Sequence, residues 1–220
     1  MNQLVTLVWS ATAQTLIMVF ASTFFSLLLG LPLGILLCVT GPEEQGGIIE
    51  KPLLNNVLSR IVNVLRSFPF IILMILLFPL SRIIVGTSIG TKATIVPLSI
   101  AAAPFVARII ESAIKEVDPG VIQAARAMGS TTNQIIWKVM IPEAMPALAS
   151  GITLTIINLI GYSAMAGAIG GGGLGDLAIR YGYQRFRPDI MIVAVVVILV
   201  LVELIQIVGN KISSRMMARR

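Results

Sequence analysis

Thr15–Val39 reads TLIMVFASTFFSLLLGLPLGILLCV, and its reading decides the fold. A helix needs about 20 mostly apolar residues to cross a bilayer. This stretch has that length and lies in a run from Met1 to Pro42 without one charged side chain. No Lys or Arg precedes it, so it is expected to stay as a span and not to be cleaved as a signal peptide. Four further apolar stretches follow, near Leu58–Leu80, Thr91–Ile110, Met145–Ala166 and Ile190–Val208. The expected architecture is all-α and polytopic, one domain over residues 1–220 with its core at about 12–209 and five membrane helices. Composition agrees: 56% hydrophobic, 12% charged and a mean hydropathy of +0.95. A soluble domain carries about 25% charged residues. Histidine is absent and Cys38 is alone, which excludes a disulfide framework and a His/Cys metal site.

The net charge is +6. On an apolar chain, basic residues mark the cytoplasmic flanks of spans, so nucleic acid is not an expected partner. Lys51, Arg60, Arg66, Arg108, Lys115, Arg126, Lys138, Lys211, Arg215, Arg219 and Arg220 fall on one side. Arg82, Lys92, Arg180, Arg185 and Arg187 fall on the other. The larger group places the C-terminus in the cytoplasm and the N-terminus outside. Gly30-x-x-x-Gly34, Ala147-x-x-x-Gly151 and Ser163-x-x-x-Gly167 are small-residue pairs that let helices approach closely in lipid. Pro32, Pro69 and Pro97 are expected to interrupt three spans, their freed carbonyls satisfied by neighbours or water.

Residues 118–142 are too polar to span and too ordered for a slack loop. Asp118 is an N-cap and Pro119 suits a first helical turn. Gly129 stops that helix as its C′ residue. Thr131 and Gln134 have capping-box spacing, and a second helix runs on to Pro142. Ala124, Ala125 and Ala127 make the exposed face small enough for a partner's groove. An ordinary amphipathic connector is the competing reading.

This segment resembles the cytoplasmic motif of membrane subunits of bacterial ABC importers: Glu-Ala-Ala, three residues, Gly, nine residues, Ile-x-Leu-Pro. The chain has Gln123, Ala124, Ala125, Arg126, Ala127, Met128, Gly129 and then Val139-Met-Ile141-Pro142 at that spacing. Gln123 replaces the acid of the motif. The segments beginning Arg66-Ser-Phe-Pro, Arg82-Ile-Ile-Val-Gly, Ala102-Ala-Pro-Phe, Gly161-Tyr-Ser-Ala-Met and Gly171-Gly-Gly-Leu-Gly are similar to the methionine-uptake permeases. The resemblance implies a type I importer permease of the bacterial inner membrane that moves methionine, both enantiomers. It implies a permease homodimer, two ATPase subunits and a periplasmic or lipid-anchored binding protein. It also implies that ATP-Mg belongs to the ATPase, with no cofactor on this chain. An importer of another small amino acid or peptide is the nearest rival, and an ATP-independent channel or secondary transporter the next.

Gly170, Gly172 and Gly175 fit G-x-G-x-x-G, but a dinucleotide fingerprint follows a strand. This one follows a membrane helix, so it reads as a flexible turn at the outer end of span four, needing several positive φ angles. No G-x-x-x-x-G-K-[ST] occurs, so ATP hydrolysis belongs to another subunit. Around Ser163 the closing Gly of a nucleophile elbow is missing, and no His can act as its base. An intramembrane enzyme therefore has no catalytic cluster to stand on. Arg66 near a span end reads as a snorkelling side chain. Glu203, inside span five, is a functional candidate by its depth, either pairing with a basic residue such as Arg66 or Arg108 or meeting the interface. Arg108 and Glu111 are spaced for an ion pair across one helical turn. Met165, with Tyr162 or Ser163, is the candidate constriction of a thioether path; plain bundle packing is the alternative.

Overall fold

The computed structural model describes residues 2–42, 47–49 and 51–218, and among them every regular element is a helix. In chain order these are α1 (Asn2–Val39), α2 (Pro52–Ser67), α3 (Phe70–Leu76), α4 (Phe78–Val85), α5 (Thr91–Lys115), α6 (Pro119–Ala127), α7 (Thr132–Ile135), α8 (Ile141–Gly167), α9 (Gly173–Asp176) and α10 (Pro188–Met217). Wider π turns cover Ile136–Met140 and Leu177–Tyr183. Four helical stretches are long and apolar enough to span a membrane, or up to five if α2 and α3 form one broken span. The all-α membrane fold is therefore present. Arg219 and Arg220, counted on the cytoplasmic side, lie outside the described residues.

Prolines behave differently from expectation. Pro32 and Pro97 sit inside α1 and α5 without breaking them. Only Pro69 marks a break, between α2 and α3. A proline removes one ladder bond. In a membrane the rest of the helix has no water to turn to, so the remaining bonds hold it together.

The residues group into two compact units. One holds Met1–Ser26, Phe68–Ala102 and Leu154–Ile207. Its apolar centres are Met18, Val19, Leu98, Ala102, Leu159 and Ile160, and a second cluster of Ala11, Leu174, Leu177, Ile190 and Ala194. The other holds Leu27–Ser67, Ala103–Thr153 and Val208–Arg220. Here Val106, Ile110 and Ile114 of α5 meet Cys38 and Val39 of α1 and Leu148 of α8. Small residues set this approach: a Cβ on Gly34 would lie 2.7 Å from Ile110 Cβ, and one on Gly30 2.7 Å from Val106 Cγ1. Lipid tails are as apolar as these side chains, so close packing supplies the attraction.

Candidate functional site: the elbow at Gly129 and the segment after α8

The corner at Gly129 is built as local chemistry dictates. The Asp118 carboxylate accepts the Gly120 N–H at 2.7 Å, and Pro119 opens α6. Gly129 takes φ 78°, the left-handed C′ conformation that glycine adopts without a Cβ penalty. Both arms of the next capping box form: Thr131 N–H donates to Gln134 Oε1 at 2.9 Å, and Gln134 N–H donates to Thr131 Oγ1 at 3.4 Å.

The elbow presents one face and buries the other. Ile122 and Ala125 join Ile135, Ile136 and Met140 in the core of their unit. Gln123, Ala124, Ala127, Met128 and Gly129 are exposed, Met128 at 79%. Ala125, expected outside, is 3% exposed, because it lies three residues after Ile122 on the same face of α6. Arg126 is half-buried and Nη2 reaches the carbonyls of Gly47 and Ile48 at 3.4 and 3.5 Å. The motif therefore divides into an outward face at 123, 124 and 127–129 and an inward brace at 125 and 126.

Pro142 was expected to end the second helix, and it does not. The helical path runs from Thr132 to Gly167. Proline cannot donate to the carbonyl four residues back and its ring crowds that turn. The turn before it is wide: Ile141 N–H bonds to Ile136 O, the i to i−5 pattern. A proline is visible in a sequence, but the widened turn that absorbs it is not.

The path candidates separate. Tyr162 stacks on Phe70, with centroids 4.5 Å apart and planes 6° from parallel. Ser163 is buried and donates to Ile160 O at 2.7 Å, so its hydroxyl serves its own helix. Met165 is 47% exposed. Phe70 escaped sequence reasoning because its contact joins distant segments. The glycine run is tied to α1 through two of its amides. Gly170, Gly172 and Gly173 have positive φ, as expected. Gly173 N–H donates to Gln14 Oε1 and Leu174 N–H to Thr15 Oγ1, both at 2.9 Å. No strand precedes the run among the described residues, so the dinucleotide reading fails.

Of the charges, Arg66 is exposed in the last turn of α2, and Glu203 is exposed on α10. Arg108 pairs with Glu111 at 2.6 Å, as the spacing predicted. Through this pair it is engaged on its own helix. Among the described residues no group of His, Cys, Asp or Glu is placed to hold a metal ion.

The likeness to known proteins covers nearly the whole chain. The model of the family described as "Binding-protein-dependent transport system inner membrane component" matches residues 30–217. The probable D-methionine transport system permease protein MetI of Vibrio cholerae is 50% identical over 209 residues, 95% of this chain and 92% of its own. The methionine import system permease protein MetP of Bacillus subtilis is 48% identical, over 94% and 91%. A solved structure of inward facing conformations of the MetNI methionine ABC transporter matches with a TM-score of 0.91 at 48% identity, covering 98% of this chain and 97% of that one. With an amino acid ABC transporter at 23% identity and a TM-score of 0.74, the chain shares its fold. An all-helical apolar chain with this elbow, matched over these lengths, belongs to the family of binding-protein-dependent transport system inner membrane components, the permease subunits of ABC importers.

Proposed function

We propose that this chain is the permease of an ATP-driven importer that moves methionine, D- and L-, across the inner membrane. It works as a homodimer with two ATPase subunits, which bind ATP-Mg, and with a periplasmic or lipid-anchored binding protein that delivers the ligand. The N-terminus faces outside and the C-terminus the cytoplasm. The carrying observation is the exposed face of α6, Gln123, Ala124, Ala127 and Met128, ending at Gly129. Small side chains beside one long thioether fit a groove on the ATPase. Arg126 belongs to the same element by bracing it against the carbonyls of Gly47 and Ile48, and Pro142 by lying where the elbow runs on into α8.

Closure of the ATPase pair on nucleotide moves this element as a lever. A lever shifts the permease between outward- and inward-open states only if the docked ATPase favours one of them. Met165 narrows the path, with Tyr162 behind it on Phe70. An apolar and deformable lining suits a thioether side chain in transit.

The test is uptake of labelled methionine by vesicles holding permease and ATPase, with the binding protein added. ATP-dependent accumulation, abolished when the ATPase is left out, is the expected result. Accumulation without the ATPase, or preference for another amino acid in competition, would sink the reading. For the path, Met165→Ala should raise leak or lower uptake with assembly intact; unchanged closure and uptake would return Met165 to plain packing.

A further inference from the structure

One buried titratable cluster serves neither the docking face nor the path. Glu111, near the end of α5, is 5% exposed. Its oxygens accept from Arg108 Nη1 at 2.6 Å and Lys115 Nζ at 2.8 Å. A pair within one helix would need no more than this. The second nitrogen of Arg108 leaves the helix: Nη2 donates to Asn63 Oδ1 at 2.9 Å and to Ser59 O at 3.2 Å, both on α2. The planar guanidinium can serve two helices at once because its donors diverge in a fixed fork.

Position gives this fork a consequence. Three residues, Glu116 to Asp118, separate α5 from α6. Ile122 and Ala125 of α6 share a core with Ile110 and Ile114 of α5. Displacing α6 therefore loads the end of α5 first. Apolar contact between α5 and α2 runs through Ala107 against Val62, with Leu58 beside them. An alanine against aliphatic side chains can slide, whereas two hydrogen bonds from one fork set a register.

We propose that Arg108, aimed by the buried Glu111, is a positioning residue that makes α2 follow α5 when the ATPase moves α6. The inference rests on the importer reading and adds a route for the stroke beyond the docking face. Asn63→Leu removes the closer of the fork's two acceptors on α2, leaving only the longer bond to Ser59 O beside the ion pair. Arg108→Lys keeps the charge beside Glu111 and removes the fork. The assembled transporter with its binding protein is the sample. Methionine imported per ATP hydrolysed should fall about 2- to 30-fold in both variants, the range by which residues along a coupling route change coupling. Assembly with the ATPase should stay at wild-type level. The double variant should be no worse than the more severe single one, since both cut the same strut.

A second readout needs no substrate. Spin labels at Val121→Cys on α6 and Leu53→Cys on α2, with Cys38→Ala, report the distance between them with and without nucleotide. That distance should hold constant in the wild-type background and change with nucleotide in the two strut variants. A wild-type distance that already changes, or variants with unaltered stoichiometry and distance, would overturn the proposal. So would uptake and hydrolysis falling in equal proportion, the mark of a merely structural role. If the wild-type complex imports no methionine, the importer reading fails while the labels still judge the strut.

Discussion

Two turns in this protein are made from left-handed glycines, and their surroundings are opposite. At the elbow Gly129 has φ 78°, and a Cβ built there meets nothing within 4 Å. In the run after α8, Gly173 has the same φ, yet a Cβ there would lie 2.6 Å from Thr15 Oγ1 and 2.8 Å from Met18 Cε. The first turn leaves a face open, and its neighbours Met128 and Ala127 are exposed. The second is buried and held by Gln14 and Thr15. Glycine in a sequence announces a backbone the other residues resist. Whether the turn serves a partner or an interior joint depends on what the rest of the chain brings up to it.

Gly173→Val is the harshest trial of that contrast. It adds overpacking to left-handed strain, together about 2–5 kcal/mol. We expect thermal unfolding in detergent to drop sharply and little protein to reach the membrane. Gly129→Val carries the backbone strain alone, about 1–2 kcal/mol. It should fold and insert, with the loss appearing in uptake because the corner no longer holds α6 at its angle. If the two substitutions cost the same stability, the distinction between open corner and locked joint is lost.

What the sequence could and could not disclose follows the range of each interaction. Caps act within four residues, so Asp118, Pro119, Gly129, Thr131 and Gln134 were readable and take those roles. The family motif pointed to the outward face proposed for docking, but Ala125 and Arg126 turn inward because the rotation of α6 is set by Ile122 entering the core. Contacts between segments far apart in the chain had no local signal: Gln14 with Gly173, Phe70 with Tyr162, Arg108 with Asn63. Pro32 and Pro97 misled because a long helix holds on either side of the bond and the crowded turn that each costs, whereas Pro69 follows the last turn of α2.

A smaller effect sharpens the elbow further. Thr131→Ala removes one arm of the capping box, worth about 1 kcal/mol. The loss should be local: faster hydrogen exchange at the Gln134 amide, with exchange in α5 and α8 unchanged. Global loosening would mean that the second half of the elbow is a structural keystone and not a separable part of the lever.

Gln123→Glu is the mildest change and the one that isolates the open face. Gln123 is exposed on α6, and a surface replacement there should move stability by less than about 0.5 kcal/mol. Gln123 is the middle residue of α6, beyond the first turn where the helix dipole acts, so the helix itself is nearly indifferent to the added charge. Any effect must therefore come from what docks on the face. A new exposed charge acts through a screened field, so association with the ATPase should shift by less than about tenfold at low salt and return to the wild-type value at high salt. Titrating detergent-solubilised permease with the ATPase at two salt concentrations separates the possibilities. A shift that survives high salt would place position 123 in a desolvated contact, deeper than an open face allows. No shift at either salt would leave the outward face to Ala124, Ala127 and Met128, whose contribution is shape.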